Sequence, residues 1–254
     1  MISDNLVITT VTAGVAHLEL NRPEAYNAAD EAACRALQRA LIDAGGNDEV
    51  QVILLSGRGK AFCAGGDVKA MAAADDPAAM ISALADASHA VVRELESSTK
   101  PIVAVVHGSA AGAGLGYVCA ADIVVAGESA KFLTAFMAIG VSPDSGNSWY
   151  LPRIVGQRRA MEMLLLNKVL TAPEALAWGL VNSVHPDGEV LEAGVALATR
   201  LAAGPTAALG RTRRLVADAA DRTLGEQLDA EAGSITEMIT TFPAPDLIQR
   251  FAGR

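Results

Sequence analysis

Two loops of small residues stand where this chain can do chemistry. Residues 60–67 (KAFCAGGD) follow the apolar run 50–56 through a Gly57/Gly59 turn, and residues 107–116 (HGSAAGAGLG) follow the apolar run 101–106. Both runs read as buried strands. Strands that end in Gly/Ala loops can aim bare backbone N–H groups at one point. Such a pair of donors suits a thioester oxygen on which negative charge grows. One carboxylate stands at a third suggestive place: Asp144, in SPDSGNSW, follows the apolar run 136–141 and precedes an expected helix start at Ser145. It reads either as the helix N-cap or as an acid/base group turned into a pocket.

Other motif-like strings drop out. Gly112, Gly114 and Gly116 have G-x-G-x-G spacing, which leaves the dinucleotide fingerprint incomplete, and no G-x-x-x-x-G-K-[ST] string occurs. Asp144-Ser145-Gly146 resembles a serine-protease nucleophile string only superficially, in a chain too rich in helix for that fold. Cys34, Cys63 and Cys119 lack C-x-x-C spacing and a histidine set beside them, so no metal site is expected. His107, directly after a strand, reads as bonded to backbone, and His17 and His185 as strand residues.

These loops need a framework. Residues 6–11 and 15–20 alternate as a hairpin closed by Ala13-Gly14. Residues 29–44 have helical spacing, stopped by Gly45-Gly46. A strand–loop–helix order then recurs from Val50, Pro101 and Asp122 without a strict sequence repeat. Met80, Leu84 and Val91 mark one face of a long helix. Residues 71–76 (MAAADD) read as a mobile loop over a pocket or as an ordinary helix end. Beyond Gly204-Pro205 strands give way to helices over 206–219, 224–239 and 245–251, with Met238, Ile239 and Phe242 unusually apolar. The expected division is a core over 1–203 and a helical region over 204–254.

A chain of 254 residues, 51% hydrophobic but only 4% aromatic, predicts an interior of Ala, Val and Leu with ample core. Its 20 basic against 29 acidic residues give a net charge of −9, which argues against nucleic acid and anionic membranes as partners. Three scattered cysteines, no basic-then-apolar leader in MISDNLVITT and no long uninterrupted apolar stretch lead to the expectation of a cytoplasmic protein.

Five passages in order carry a family resemblance: LNRPEAYNA at 20–28, GRGKAFCAGGD at 57–67, KPIVAVVHGSAAGAGLG at 100–116, AKFLTAFMAIGVSPDSGNSWYLPRIVG at 130–156 and LTAPEALAWGLVNSV at 170–184. On these the chain resembles the crotonase superfamily, also called the enoyl-CoA hydratase/isomerase superfamily, along nearly its whole length. The resemblance implies an α/β fold, a spiral of ββα turns with a C-terminal helical region. It implies an acyl-CoA substrate, with coenzyme A arriving as part of the thioester and no separate cofactor. It puts the two oxyanion N–H groups on Gly66 and Ala113. Ala25 and the backbone of Ala64, Gly66, Asp67 and Val68 fall where the family holds CoA. Arg22, Arg58, Lys60 and Lys69 become candidates for its phosphates, or a solvated rim. The C-terminal helices would pack in a homotrimer or a dimer of trimers.

Departures from the pattern matter as much. Hydratases of the family use glutamates at the positions of Gly116 and Phe136, and hydration has no acid/base groups to run on without them. Asp144 falls where the family's phenylacetate-pathway epoxide and enoyl-CoA isomerases carry an aspartate, and where 4-chlorobenzoyl-CoA dehalogenases carry a nucleophile. A single carboxylate could shuttle a proton between carbons, helped if burial raised its pKa toward neutrality. Dehalogenation needs an ionised carboxylate and a second base. His89, counted back from Lys100-Pro101, falls at the dehalogenase histidine, although it also reads as a polar residue on a helix. Phe136 stands where the dehalogenase has tryptophan, and with Pro143 it favours the isomerase reading. Phe136 and Trp149 are candidates to shape the acyl site. Three readings stay open: isomerase, dehalogenase and a catalytically silent acyl-CoA-binding homologue.

Overall fold

The computed structural model describes residues 5–253, so the first four residues of the leader reading lie outside them. The hairpin forms as β1 (Val7–Thr12) and β2 (Val15–Leu20), with Ala13 and Gly14 both at positive φ in its two-residue turn. Helix α1 (Glu31–Gly46) follows, started by Asp30, whose side chain accepts from Ala33 N–H at 2.7 Å. It begins two residues later than the spacing suggests because Ala29 is held in a bridge to Gly66, and it runs on through Gly45-Gly46.

Three turns of the chain then repeat one plan. Strand β3 (Val52–Gly57) leads past Cys63 to α2 (Val68–Ala73) and α3 (Pro77–Ser97). Strand β4 (Ile102–Val106) leads through β5 (Ser109–Ala111) to α4 (Ala113–Cys119). Strand β6 (Ile123–Gly127) leads through β7 (Lys131–Leu133) to α5 (Asn147–Ile154) and α6 (Gln157–Leu166). Then come β8 (Leu170–Thr171), α7 (Ala172–Trp178), β9 (Ser183–His185) and α8 (Val190–Ala202). Helices α9 (Thr206–Asp218), α10 (Leu224–Met238) and α11 (Ala244–Ala252) complete the described chain.

The second and third turns each give one strand to each of two sheets. The larger has the order β1-β2-β3-β4-β6-β9, parallel from β2 onward; the smaller has the order β5-β7-β8, and a bridge from Cys63 to Ala110 extends it into the first turn. This is the expected spiral of ββα turns, an α/β fold. Strands β3 and β4 are buried along their whole length, which is why they read as unbroken apolar runs. Their alternate residues serve two cores. Ile53, Leu55, Ile102 and Ala104 face the interior shared with α1, α3 and α4, while Val52, Leu54, Val103 and Val105 pack beneath α8. The two small-residue loops leave the same ends of neighbouring strands, β3 and β4, so the sheet itself brings them together.

Arg213 anchors the terminal helices. Its guanidinium pairs with Asp122 at 2.9 Å and donates to the carbonyls of Leu95, Glu96 and Ser98. Among the described residues no helix is long and apolar enough to cross a membrane.

Candidate active site

Backbone pairing sets the direction of the first candidate oxyanion donor. Ala29 N–H donates to Gly65 O at 2.7 Å, and Asp67 N–H donates to Ala29 O at 3.0 Å. In a parallel bridge of this kind the residue between those two groups, Gly66, turns its own N–H to the opposite side. Gly66 N–H accordingly has no acceptor among the described residues. Met71 and Leu84 wall this point, since a Cβ added to Gly66 would lie 2.5 Å from Met71 Cε and 3.6 Å from Leu84 Cδ2.

Ala113 is the second candidate donor. It opens α4, where the first N–H groups of a helix have no partner within it. Gly112 N–H is taken up by Leu133 O at 3.2 Å, and Gly116 N–H returns to Gly112 O at 3.1 Å, while Ala113 N–H has no acceptor among the described residues. The two loops touch at their glycines. Gly65 and Gly112 both have positive φ, and a Cβ on Gly112 would stand 3.5 Å from Gly65 Cα. The sequence-predicted pair is thus brought to adjoining backbone.

Asp144 lies in the turn before α5. That helix starts at Asn147 with Gly146 as its N-cap and no side-chain cap, two residues later than expected. Ser145 and Gly146 both have positive φ, which turns the chain back before the helix can begin. Asp144 is therefore not the N-cap. Its Oδ1 meets His89 Nε2 at 2.5 Å, and its Oδ2 accepts from Ser145 Oγ at 3.3 Å. The two side chains keep 38% (His89) and 37% (Asp144) exposure, so a substrate can reach them, and the apolar burial considered for Asp144 is not found.

The missing hydratase glutamate has a steric explanation. A Cβ on Gly116 would stand 2.1 Å from Ser145 O, so the turn that carries Asp144 occupies the space of any side chain at Gly116. Phe136, at the second glutamate position, is half-buried, and its Cζ lies 3.9 Å from the point where a Gly112 Cβ would be. Trp149 belongs elsewhere. It is 41% exposed, takes Arg153 over its ring, and lines a cavity of about 500 Å³ with Arg213 and Val216, a lining that includes none of Gly66, Ala113, His89 or Asp144.

Sequence reasoning passed over the residues that hold this arrangement. Asn147, wholly buried, donates from Nδ2 to Asp144 O at 2.8 Å and to Gly112 O at 3.0 Å. Behind Asp144 runs a buried polar chain: Ser145 Oγ to Ser88 Oγ at 2.9 Å, Ser88 Oγ to Tyr117 OH at 2.9 Å, and Tyr117 OH to Cys34 Sγ at 3.4 Å. Burial pushes the Tyr117 phenol well above its usual range and raises the Cys34 thiol, so both keep their protons. Ser88 did carry a signal, because it falls in the apolar stripe Leu84, Val91, Leu95 of α3, where a hydroxyl needs a partner.

The CoA candidates divide. Ala64 and Val68 are exposed and Ala25 is half-exposed, on backbone tied down by Ala64 N–H to Tyr26 O at 3.1 Å and Ala28 N–H to Ala25 O at 3.0 Å. Arg58, Lys60 and Lys69 are exposed cations beside the loop. Arg22 is engaged: it pairs with Asp30 at 2.9 Å and Asp67 at 3.3 Å and donates to Ala28 O at 2.6 Å. Asp67 itself caps α2 through Ala70 N–H at 3.1 Å. Residues 71–76 take the helix-end form, with Met71 in α2 and Asp76 capping α3. His107 bonds a backbone carbonyl, Gly59 O, at 2.9 Å.

Comparison with known proteins agrees with this fold. The family model described as enoyl-CoA hydratase/isomerase matches residues 10–252. The chain is 36% identical to 1,2-epoxyphenylacetyl-CoA isomerase of Escherichia coli (strain K12) over 89% of its length and 87% of the relative's. It is 35% identical to 4-chlorobenzoyl coenzyme A dehalogenase-2 of an Arthrobacter species, over 98% and 90%. The crystal structure of an enoyl-CoA hydratase from Polaromonas sp. JS666 superposes with a TM-score of 0.92 at 31% identity, over 97% of this chain and 96% of that one. With its paired loops, its spiral of ββα turns and these relatives, the chain belongs to the enoyl-CoA hydratase/isomerase, or crotonase, superfamily.

Proposed function

We propose that this acyl-CoA enzyme is an isomerase that shifts a double bond, or rearranges a ring epoxide, through an enolate. Gly66 and Ala113 N–H polarise the thioester carbonyl and stabilise the charge that develops on its oxygen. For a 3-enoyl-CoA, the Asp144 carboxylate removes a proton from C2, the resulting dienolate rests on the two N–H groups, and protonated Asp144 returns the proton to C4. His89 orients the carboxylate through the 2.5 Å contact. An acyl group entering the site would supply the apolar surroundings that Asp144 lacks in the free protein. The observation that carries this reading is a lone, reachable carboxylate on a turn tied to the Gly112–Ala113 peptide, with no side chain able to fit at Gly116.

The backbone at Ala64 to Val68 would receive the pantetheine and adenine, with Arg58, Lys60 and Lys69 toward the phosphates and Arg22 bracing the loop from behind. Coenzyme A enters as part of the substrate, and no other cofactor is required. Exposed Leu224, Leu228, Ile235, Phe242 and Phe251 on and between the terminal helices support packing against further copies, as a homotrimer or a dimer of trimers.

The same His89–Asp144 contact favours a second reading, hydrolytic removal of a halide from an aryl-CoA. There Asp144 would attack the ring and His89 would activate water to cleave the aryl ester. Incubation with 3-enoyl-CoA and with 4-chlorobenzoyl-CoA in deuterated water, followed by mass spectrometry and chloride assay, separates them. A conjugated 2-enoyl product supports the isomerase; chloride release replaces it with the dehalogenase. Tight thioester binding with neither product across enoyl, epoxide and aryl-halide substrates would mark a silent acyl-CoA-binding homologue.

A further inference from the structure

Asn147 stands behind both halves of the site. Its Nδ2 uses its two hydrogens on Gly112 O at 3.0 Å and Asp144 O at 2.8 Å, while its buried Oδ1 has no partner among the described residues. Turning the amide over would set its oxygen against two carbonyl oxygens, so the donor orientation is the one the surroundings enforce. The peptide between Gly112 and Ala113 is a single planar unit, with the carbonyl that Asn147 bonds at one edge and the Ala113 N–H at the other. A donor on the carbonyl draws electron density from the amide nitrogen and makes its N–H a stronger donor. The second bond ties the Asp144 turn to the same plane.

We propose that Asn147 is a positioning residue that polarises and aims the Ala113 N–H and locks it to Asp144, so that oxyanion donor and proton carrier form one rigid unit. This rests on the reading of Ala113 as an oxyanion donor. Neither carbonyl depends on Asn147 for satisfaction: Gly112 O also accepts Gly116 N–H at 3.1 Å, and Asp144 O also accepts the Asn147 backbone N–H at 3.1 Å. Its side chain can therefore be removed without orphaning either acceptor, and what is lost is direction.

The test uses hexanoyl-CoA, a saturated thioester that cannot shift a double bond, labelled with carbon-13 at its carbonyl. Infrared difference spectra are taken on the full-length protein and on Asn147→Ala. With the wild-type protein the bound carbonyl band should lie below that of free hexanoyl-CoA. In Asn147→Ala it should return at least about halfway, with kcat on the active substrate about 10-fold lower or more and KM within about 3-fold. A band left at the wild-type position in the folded variant overturns the inference while leaving the oxyanion reading intact. No displacement in the wild-type protein overturns the oxyanion reading itself, and the inference with it. Asn147→Ser is read in the same way should Asn147→Ala not fold. Failure of both to fold would make Asn147 a stability element and overturn the proposal.

Discussion

His89 Nε2 lies 2.5 Å from Asp144 Oδ1, joining α3 to a turn 55 residues away in sequence. The neighbouring residues repeat the link, since Ser88 Oγ bonds Ser145 Oγ at 2.9 Å. Two successive residues of α3 thus grip two successive residues of the turn.

The role of His89 follows from which reaction is run. In the isomerase it only orients Asp144, so His89→Gln, which keeps a hydrogen-bond donor, should retain turnover of a 3-enoyl-CoA within about 10-fold. A base that activates water cannot be replaced by an amide. Loss of turnover by more than about 1,000-fold, measured by steady-state kinetics on folded protein, would move His89 into the chemistry.

Gly116 is predicted to be intolerant of even one methyl group. Ser145 O lies 2.1 Å from where a Cβ would be, and it is backbone. Gly116→Ala should therefore destabilise the protein by about 1–3 kcal/mol and lower kcat by displacing Asp144. Gly116→Glu should not produce a hydratase. Thermal unfolding and assays of double-bond shift and hydration check both statements.

Much of this was legible in the sequence, and the boundary is physical. Strands β3 and β4 announced themselves because a parallel strand buried on both faces must be apolar throughout. Their loops announced themselves because backbone that meets backbone at positive φ, as at Gly65 and Gly112, requires glycine. What stayed hidden was pairing between distant residues. Arg22 looks like a free cation beside the loop until Asp30 and Asp67 are seen to hold it. Asp144 looks like an N-cap until Ser145 and Gly146 turn left-handed and delay the helix to Asn147. Trp149 follows Asp144 closely in sequence, yet α5 carries it to a different cavity.

The buried chain from Ser145 to Cys34 should matter for stability. Tyr117→Phe removes the hydroxyl that joins Ser88 to Cys34 and should cost about 1–3 kcal/mol, read from urea unfolding. Ser88→Ala should cost a similar amount and also lower kcat, because it frees Ser145 beside Asp144. A loss of activity without any loss of stability in Tyr117→Phe would assign the chain to proton transfer instead.

His17 predicts a pH dependence with a definite sign. Its Nε2 lies 2.7 Å from Ser56 Oγ, and burial lowers its pKa below the ordinary value of 6.5, against the opposing pull of Glu19. The unfolded chain therefore binds more protons than the folded one as pH falls from 6.5 through the folded value. Stability from this group is fully present above 6.5 and is lost through that window. Urea unfolding at pH 5 and pH 7.5 should show the fall, and His17→Gln should reduce it.

In the proposed mechanism Asp144 carries the proton while the two loops hold the thioester. Asp144→Asn tests it most directly, with acyl-CoA binding measured by calorimetry and turnover of a 3-enoyl-CoA measured on the same folded protein. Affinity should stay within about 3-fold of wild type, and turnover should fall by about 100-fold or more. Unchanged turnover in the folded variant would contradict this mechanism.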